Sequence, residues 1–420
     1  MMKRKECIAL ILAGGRGSRL GSLTSHMAKP MMFFGGNYRL IDFTLSNCKH
    51  SGIDTIGILT QYLGIDLQVY INDGHIWNLN SPKGGVFMLP SSLDEKQQYR
   101  GTADAVYKNS DFIESYSPEY VMILSGDHVY KMNYAKMLSF HKQNQADMTL
   151  ASIAVPKNAV SHYGMLTVDE NNLITDFREK PNTYKSNLAS MGIYIFNWNT
   201  LKKYLVADQV NKYSQNDFGR DIIPLMLKSG EKICAYRYDD YWQDVGTVES
   251  LWKSNMDLLC PQSPFCIQSE NWEIFTSYRS ESLCYKSRQA SVQNSIISGD
   301  CTIHGKIRRA VLSDAVIIRE GAEVTDTVIM PNVYIGKNAK IHKAVIGPNS
   351  VIMDDTKIGI ADESEHYIDN FTRENGISLI GPWSHISNKN KFTQNLHTKE
   401  ISTQKTVSFA ELRKKMLKQL

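Results

Sequence analysis

The stretch CIALILAGGRGSRL, residues 7–20, opens with a continuous apolar run and ends in a glycine-rich turn. Residues 7–13 are apolar on both faces, which predicts a strand buried in the centre of a parallel sheet. The run stops at Gly14 and Gly15, so the strand is expected to end there. The same design recurs downstream, where apolar runs alternate with segments of helical periodicity. The predicted strands are 55–60, 120–124, 148–155 and 192–196, and the predicted helices are 102–116, 134–144 and 248–259.

This alternation is typical of repeated β-α-β units. It predicts an α/β fold with a Rossmann-like, mainly parallel sheet in the first part of the chain. In open sheets of this class, ligands bind at the carboxyl ends of the strands. Polar residues that directly follow an apolar strand are therefore the first candidates for a functional site.

A different periodicity begins in the last third of the chain. Nine apolar residues recur with steps of 6, 6, 5, 6, 6, 5, 6 and 6, so that three steps sum to 17 residues. A helix would give steps near 3.6 and a flat strand steps of 2, so this spacing predicts a three-sided coil of short parallel strands. Accidental spacing in another β-rich domain is the alternative, and nine consecutive matches disfavour it. The nine residues are Leu312, Ile318, Val324, Ile329, Ile335, Ile341, Ile346, Ile352 and Ile358.

The two patterns divide the chain into four parts. Residues 1–260 form the predicted α/β domain, and residues 261–291, rich in Ser, Gln and Tyr, form a predicted linker. Residues 292–383 form the predicted β-helix. The remaining residues, 384–420, are a polar tail that ends in a short basic amphipathic helix.

The composition excludes several classes of protein. The 420 residues are 42% hydrophobic and 21% charged, with a net charge of only +4, which does not indicate a dedicated binder of nucleic acid or of anionic membranes. The apolar run 8–13 is too short to span a bilayer, and the charged cluster 3–6 is not followed by the apolar region that a secretion signal would need, so we expect neither here. The seven cysteines include no C-x-x-C pair, which disfavours a disulfide framework or structural zinc. We therefore expect a soluble cytoplasmic protein.

The glycine-rich turn 14–17 is the strongest local signal for chemistry. Its backbone N–H groups can hold phosphate oxygens, and glycine permits close approach of a polyphosphate. Arg16, Arg19 and Lys29 would supply the positive charge that such a ligand needs. The turn matches neither the dinucleotide fingerprint nor the P-loop, so an ordinary strand-to-helix turn remains the alternative.

Two aspartates follow predicted strands or tight turns. Asp127 lies in Ser125-Gly126-Asp127-His128 at the end of strand 120–124, and Asp244 lies in the segment 242–247. Two carboxylates together with phosphate oxygens form a plausible Mg²⁺ site, because Mg²⁺ prefers few protein carboxylates. No local spacing rule predicts that the two residues meet, and a lone aspartate can also cap a helix.

Two further segments could contact a substrate. Glu179 and Lys180, placed before Pro181, could hold a sugar hydroxyl and a phosphate, although a solvated turn is the simpler interpretation. Residues 100–105 could begin a helix against a nucleotide, or could only cap that helix.

The combination of these motifs resembles the bacterial glucose-1-phosphate adenylyltransferases, a branch of the sugar-1-phosphate nucleotidyltransferases. The resemblance covers residues 5–260, and the branch-specific stretch is 28–48, AKPMMFFGGNYRLIDFTLSNC. The hexapeptide-like coils are similar to the left-handed β-helix domain of the same family. Further agreement lies in segments 60–62, 99–106, 125–128 and 189–196.

The resemblance implies transfer of the adenylyl group of ATP to glucose 1-phosphate, with roles for particular residues. It implies that Arg16, Lys29 and Asp127 are catalytic, and that Asp127 and Asp244 bind Mg²⁺. The implied contacts to ATP are Gly14, Gly15, Gly17, Arg19, Gly101 and Thr102, and those to glucose 1-phosphate are Tyr99, Gly164, Glu179, Lys180 and Ser190.

The family also implies an assembly, either a homotetramer or a heterotetramer with a related regulatory subunit. A catalytically silent regulatory chain is the alternative function, and such chains lose the arginine-containing glycine loop. Here the loop, Asp127, Lys180 and Asp244 are all present, which favours an active chain. An acyltransferase built on the β-helix would need a longer repeat and a catalytic histidine within it.

Overall fold

A computed structural model describes residues 4–91, 98–263, 265–277, 283–360 and 371–387. The predicted C-terminal helix 408–420 lies outside these residues. The helices of the first domain are α1 (Leu40–His50), α2 (Gly64–Ile71), α3 (Thr102–Lys108), α4 (Ser110–Ser115), α5 (Tyr134–Gln143), α6 (Trp198–Val210), α7 (Ile223–Lys228) and α8 (Val248–Asp257).

Its strands are β1 (Cys7–Leu12), β2 (Phe33–Phe34), β3 (Tyr38–Arg39), β4 (Thr55–Thr60), β5 (Gly85–Pro90), β6 (Tyr120–Ser125), β7 (His128–Tyr130), β8 (Met148–Ala154), β9 (Gly164–Val168), β10 (Ile174–Glu179), β11 (Leu188–Asn197), β12 (Ile233–Arg237) and β13 (Trp242–Asp244). The described part of this domain also contains a π-helix at Phe218–Ile222 and short 3₁₀ helices at Ser18–Thr24, Lys29–Met31, His75–Trp77 and Lys157–His162.

Nine of these strands form one mixed sheet. From one edge the strands follow the order β5, β4, β1, β6 and β11. Strand β11 then pairs with two strands, β8 and β9. Strand β12 pairs with β8, and β10 pairs with β9. Seven strands in this sheet run in one direction, and β11 and β10 run in the other. The α/β fold with a mostly parallel sheet is therefore confirmed.

Strand β1 is the centre of the sheet, as its apolar sequence predicts. It pairs in parallel with β4 and with β6, and its last residue, Leu12, lies opposite Ser125. The Gly126 N–H donates to the Leu12 carbonyl at 3.1 Å. The glycine-rich turn and the segment that contains Asp127 therefore leave the same edge of the sheet side by side.

Two elements differ from the sequence prediction for physical reasons. The predicted helix 102–116 is two helices, because Asn109 leaves helical geometry at φ −107° and its side-chain amide donates to the Ala105 carbonyl at 2.8 Å. Strand β11 begins at residue 188 rather than at 192. It includes Gly192 at φ 67°, where the register with β8 shifts, and glycine permits this irregular backbone.

The second domain is a stack of short strands. They are β14 (Tyr285–Lys286), β15 (Ser291–Gln293), β16 (Ile296–Ile297), β17 (Thr302–Ile303), β18 (Lys306–Leu312), β19 (Ile317–Ile318), β20 (Glu323–Ile329), β21 (Tyr334–Ile335), β22 (Lys340–His342), β23 (Ala344–Ile346), β24 (Val351–Ile352), β25 (Lys357–Ile358), β26 (Phe371–Glu374), β27 (Ile377–Ile380) and β28 (His385–Ile386).

Paired residues in neighbouring turns of the coil are 17 positions apart, which is the period seen in the sequence. Leu312 pairs with Ile329, Ile318 with Ile335, and Val324 with Ile341, all in parallel. All nine periodic residues are buried in one core. The coil is a left-handed parallel β-helix of the hexapeptide type, as predicted. Its first strand, Tyr285–Lys286, precedes residue 292, and the antiparallel hairpin of β26 and β27 interrupts its last turn.

The two domains share one apolar cluster. Leu20, Leu23 and Leu251 from the first domain pack with Val328 and Val345 from the coil. In addition, the indole Nε1–H of Trp252 on α8 donates to the Asp326 carbonyl at 2.7 Å. The β-helix therefore packs directly against α8. No helix in the part of the chain that the structure describes has both the length and the apolar character required to cross a membrane.

The stacked core of the coil makes a prediction about stability. Ile335 is fully buried between Ile318 and Ile352, so Ile335→Ala is expected to lower the free energy of unfolding by about 2–5 kcal/mol. Met353, which is 46% exposed on the same domain, is the control, and Met353→Ala should change the free energy of unfolding by about 0.5 kcal/mol or less. Urea denaturation measures both. Equal losses would contradict the stacking account.

Candidate active site

The two aspartates meet because of a short antiparallel ladder. Strand β13 pairs with β7, and Asp244 lies opposite His128, the residue that follows Asp127. The ammonium of Lys29 lies between the two carboxylates, with Nζ 2.6 Å from Asp127 Oδ2 and 3.2 Å from Asp244 Oδ1. The structure thus brings together three residues that the sequence places far apart.

Burial and charge fix the ionisation of this cluster. Burial alone would raise the pKa of the Asp127 carboxyl, but the charges of Lys29 and then His128 hold that pKa well below its usual range. Burial alone would lower the pKa of Lys29, but Asp127 and Asp244 raise it above its usual value. Both partners are therefore charged at neutral pH.

The two carboxylates fit a divalent cation that takes most of its ligands from elsewhere. Within the described residues, no group of three or more His, Cys, Asp or Glu side chains is placed to hold a metal by itself. Two carboxylates that already share one cation, Lys29, provide the oxygen ligands that Mg²⁺ takes when phosphates and water complete its shell. The residues that fit are Asp127 and Asp244.

The glycine-rich turn folds against Lys29. Gly17 has a φ of 62°, and a Cβ there would lie 3.1 Å from the Thr24 methyl group and 3.2 Å from the Lys29 Cβ. This position therefore favours glycine on both counts. Gly15 faces open space, and a Cβ on Gly14 would lie 3.3 Å from the Gln61 Cβ. The turn leaves its outer side accessible to a ligand.

The two arginines of the turn have different neighbours. The Arg16 guanidinium lies over the Tyr62 ring, 5.4 Å from its centroid. The Arg19 guanidinium lies beside Gly246. A Cβ added to Gly246 would lie 2.9 Å from Arg19 Nη2 and 3.2 Å from Asp244 Oδ1. Arg19 and Asp244 also share one cavity wall. Arg19 and Lys29 therefore lie near Asp244, whereas Arg16 lies over Tyr62.

A cavity of about 140 Å³ opens beside Asp244. Its walls include the predicted sugar-phosphate residues Gly164, Glu179, Lys180 and Ser190. A Cβ on Gly164 would lie 2.8 Å from Glu179 Oε2, so glycine makes room for this carboxylate. The Lys180 ammonium lies 3.2 Å from Glu179 Oε1.

A larger cavity of about 660 Å³ adjoins the same pair, Glu179 and Lys180, and includes Gly101. Thr102 lies just behind it, where its hydroxyl donates to Asp217 Oδ2 and accepts from the Phe218 N–H, both at 3.0 Å. Tyr99 stands apart. Its hydroxyl donates to the Leu89 carbonyl at 3.0 Å and accepts from Asn109 at 2.9 Å, and neither cavity wall, as far as the structure describes it, includes this residue.

The chain matches known families over both domains. The nucleotidyl transferase model matches residues 8–260, and the GlmU-like C-terminal hexapeptide model matches residues 283–380. A glucose-1-phosphate adenylyltransferase of Bacillus cytotoxicus is 49% identical over 84% of this chain and 95% of its own length. The chain belongs to the glucose-1-phosphate adenylyltransferase family. The resemblance in the sequence motifs is confirmed.

Two other members of the adenylyltransferase family show the same extent of likeness. The protein of that name from Acetivibrio thermocellus is 45% identical over 90% of each chain. The one from Bacillus cereus strain ATCC 10987 is 47% identical over 85% of this chain and 96% of its own length. The likeness therefore includes the β-helix as well as the catalytic domain.

Sequence reasoning missed several neighbours of the site in this adenylyltransferase. His128 Nε2 lies 3.6 Å from Asp127 Oδ1 and 3.8 Å from Asp244 Oδ1, and its ring meets Trp242 edge-on. Gly219 packs so closely on Glu179 that a Cβ would lie 2.5 Å from its Oε2. His128 stands in the SGDH motif and could have been singled out there. Gly219 carries no such signal, because its contact depends on a distant chain segment.

The buried cluster makes a prediction about pH-dependent stability. In metal-free protein, Lys29→Met is expected to lower the free energy of unfolding by about 3 kcal/mol at pH 7.5, because two carboxylates lose their cation. The loss should shrink at pH 5, since without Lys29 burial raises the pKa of Asp127 and the carboxyl takes up a proton. In the unmodified chain, the lowered pKa of Asp127 contributes stability above about pH 4, and this contribution is lost only as the pH falls further.

Thermal unfolding in EDTA at the two pH values measures this difference. The matched control is Lys5→Met, which breaks the more exposed pair between Lys5 and Asp54 and should cost about 0–1 kcal/mol at either pH. A loss in Lys29→Met that did not depend on pH would show that Lys29 acts by packing alone.

Proposed function

We propose that this chain transfers the adenylyl group of ATP to glucose 1-phosphate and releases ADP-glucose and pyrophosphate for glycogen synthesis. One observation carries the proposal: Lys29, Asp127 and Asp244 converge between an open glycine turn and a cavity lined by Glu179 and Lys180. The names of the similar proteins from Bacillus and Acetivibrio support the choice of substrates.

The triphosphate of ATP would lie along the glycine-rich turn. The backbone N–H groups of Gly14, Gly15 and Gly17 would donate to its oxygens, because glycine lets the phosphates come close. Arg16, Arg19 and Lys29 would neutralise the negative charge that grows on the departing pyrophosphate. Gly101 and Thr102 would contact the adenosine.

Asp127 and Asp244 would hold Mg²⁺, with phosphate oxygens and water as its other ligands. When bound, the ion supplies positive charge that lowers the repulsion between the two anionic substrates. In the metal-free site, the Lys29 ammonium contacts the same two carboxylates and offsets one of their two negative charges.

Glucose 1-phosphate would occupy the cavity beside Asp244. Glu179 would accept from sugar hydroxyls, and Lys180 would hold the phosphate, with Ser190 and the Gly164 backbone alongside. Tyr99 would contact glucose 1-phosphate only if its segment moves, because its hydroxyl is hydrogen-bonded to the Leu89 carbonyl and the Asn109 side chain.

The reaction needs no covalent enzyme intermediate. A phosphate oxygen of glucose 1-phosphate forms the new bond to the α-phosphorus of ATP, and the bond from that phosphorus to the β-phosphate oxygen breaks. The attacking oxygen is already anionic, so no side chain has to remove a proton. Catalysis therefore consists of alignment and of charge stabilisation.

The alternative role, a catalytically silent regulatory subunit, is not favoured, because such chains lose the arginine-containing glycine loop, which this chain keeps together with Asp127, Lys180 and Asp244. We propose a homotetramer or a heterotetramer with a related regulatory subunit, and a cytoplasmic location. Release of pyrophosphate by the purified chain, with both substrates and Mg²⁺, tests the activity. Release only after a related partner chain is added would favour the regulatory role.

Asp127→Asn is expected to lower kcat at least about a hundredfold and to leave the fold intact, because a ligand of the cation is weakened at the transition state. Asp54→Asn is the matched control, since it breaks another lysine pair outside the site and should leave kcat unchanged. Steady-state kinetics at saturating Mg²⁺ measure both. A near-normal kcat for Asp127→Asn would exclude this residue as a ligand.

Lys180→Gln is expected to raise the KM for glucose 1-phosphate at least about tenfold with little change in kcat. The reason is that a cation that contacts a phosphate in the ground state contributes largely uniform binding. Lys185→Gln, a change at an exposed lysine nearby, serves as the control. A raised KM for ATP with an unchanged KM for glucose 1-phosphate would show that Lys180 is wrongly assigned.

A further inference from the structure

We propose that helix α1 positions the catalytic carboxylate, through a row of polar side chains at Thr44, Asn47 and Ser51. This inference rests on the proposed adenylyl transfer. Thr44 and Asn47, three residues apart, lie on one face of the helix, and Ser51, the residue directly after the helix and four residues from Asn47, continues the row. Each of them bonds the segment 125–134, which contains Asp127.

The row holds the backbone of that segment at four points. The Thr44 hydroxyl donates to the Ser125 carbonyl at 2.8 Å, and the Asn47 side-chain amide donates to the Tyr130 carbonyl at 3.2 Å. The Asn47 side-chain oxygen accepts from the Met132 N–H at 3.2 Å, and the Ser51 hydroxyl oxygen accepts from the Tyr134 N–H at 2.7 Å. Asp127 lies between the first two of these points.

The main sheet holds this segment at its start, where Ser125 lies opposite Leu12 and the Gly126 N–H donates to the Leu12 carbonyl, but the chain leaves that sheet before Asp127. Among the described strands, β7, which directly follows Asp127, pairs only with β13 in a separate two-stranded sheet. A two-stranded ladder alone is marginally stable. Thr44 and Asn47 are fully buried, so the loss of one partner would leave a buried polar group without its bond.

The same helix also supports the segment that contains Lys29. Arg39, at the N-terminal end of α1, donates from Nη1 to the Met31 carbonyl at 2.6 Å. Met31 ends the short 3₁₀ helix that begins with Lys29. Helix α1 thus fixes the backbone on both sides of the contact between Lys29 and Asp127.

A second side of α1 binds the connection to the β-helix. The Ser46 hydroxyl oxygen accepts from the Phe275 N–H at 2.9 Å, and the Trp272 indole N–H donates to the Asn47 side-chain oxygen at 2.9 Å. Ser46 is as deeply buried as Thr44 and makes no bond to the segment 125–134 among those found in the described chain. The helix therefore offers a matched pair of hydroxyls, one towards the site and one away from it.

The test compares Thr44→Val with Ser46→Ala in the full-length protein, and Thr44→Ser restores the hydroxyl. Hydrogen exchange of peptides that cover 125–134 and 271–277 is measured together with kcat, both KM values and the melting temperature. If Thr44→Val does not fold, Ser51→Ala removes a bond to the same segment and takes its place.

We expect Thr44→Val to speed exchange in 125–134 and to lower kcat about tenfold, with both KM values within about twofold, because a small misplacement of a reacting group is costly. Thr44→Ser should recover the original kcat. Ser46→Ala should speed exchange only in 271–277 and leave kcat unchanged.

Two results would overturn the inference. One is equal loss of kcat in Thr44→Val and Ser46→Ala, which would indicate general loosening of the helix. The other is unchanged exchange in 125–134 for Thr44→Val, which would show that the row does not hold the segment. Exchange does not depend on substrates, so this second result is distinct from a failure of the proposed function, which would appear as no pyrophosphate release by the unmodified chain.

Discussion

One buried ammonium, that of Lys29, holds the candidate active site of this chain together. It contacts Asp127, between β6 and β7, and Asp244, the last residue of β13, which lie far apart in the sequence. Two carboxylates that both contact one ammonium lie close together, and they would repel each other strongly in a partly buried site without that cation. The rest of the catalytic domain can be understood as the means by which three charged groups reach one point. The same requirement explains why the site suits a divalent cation and anionic substrates.

Each of the three charged groups depends on a different structural element. The parallel pairing of β1 with β6 brings the glycine-rich turn and the Asp127 segment to one edge of the sheet. The ladder of β13 with β7 adds Asp244, and α1 supports both Lys29 and Asp127 from behind. The β-helix contacts this assembly through α8 and through the segment that bonds Ser46 and Asn47. The charged cluster is therefore mechanically connected to the second domain.

The elements that were predictable from the sequence are those with a strong local pattern. Strand Thr55–Thr60 was predicted to the residue because it is apolar on both faces, and the coil register follows from its 17-residue period. The meeting of Asp127 with Asp244 was implied by the family resemblance alone, because a three-residue ladder between distant segments leaves no spacing in the sequence. The break at Asn109 and the row from Thr44 to Ser51 were missed for a related reason. In both, a polar side chain bonds a backbone group, and the sequence does not show which one.

The central claim is that Asp127 and Asp244 act together on one metal ion, and a double-mutant cycle tests it most directly. The kcat of Asp127→Asn, of Asp244→Asn and of the double variant would be measured at saturating substrates and Mg²⁺. If both residues hold the same ion, removing the second after the first should cost little, so the double variant should be within a few-fold of the slower single variant. If instead the two losses multiply, the residues act independently, and the account of a shared metal site is wrong.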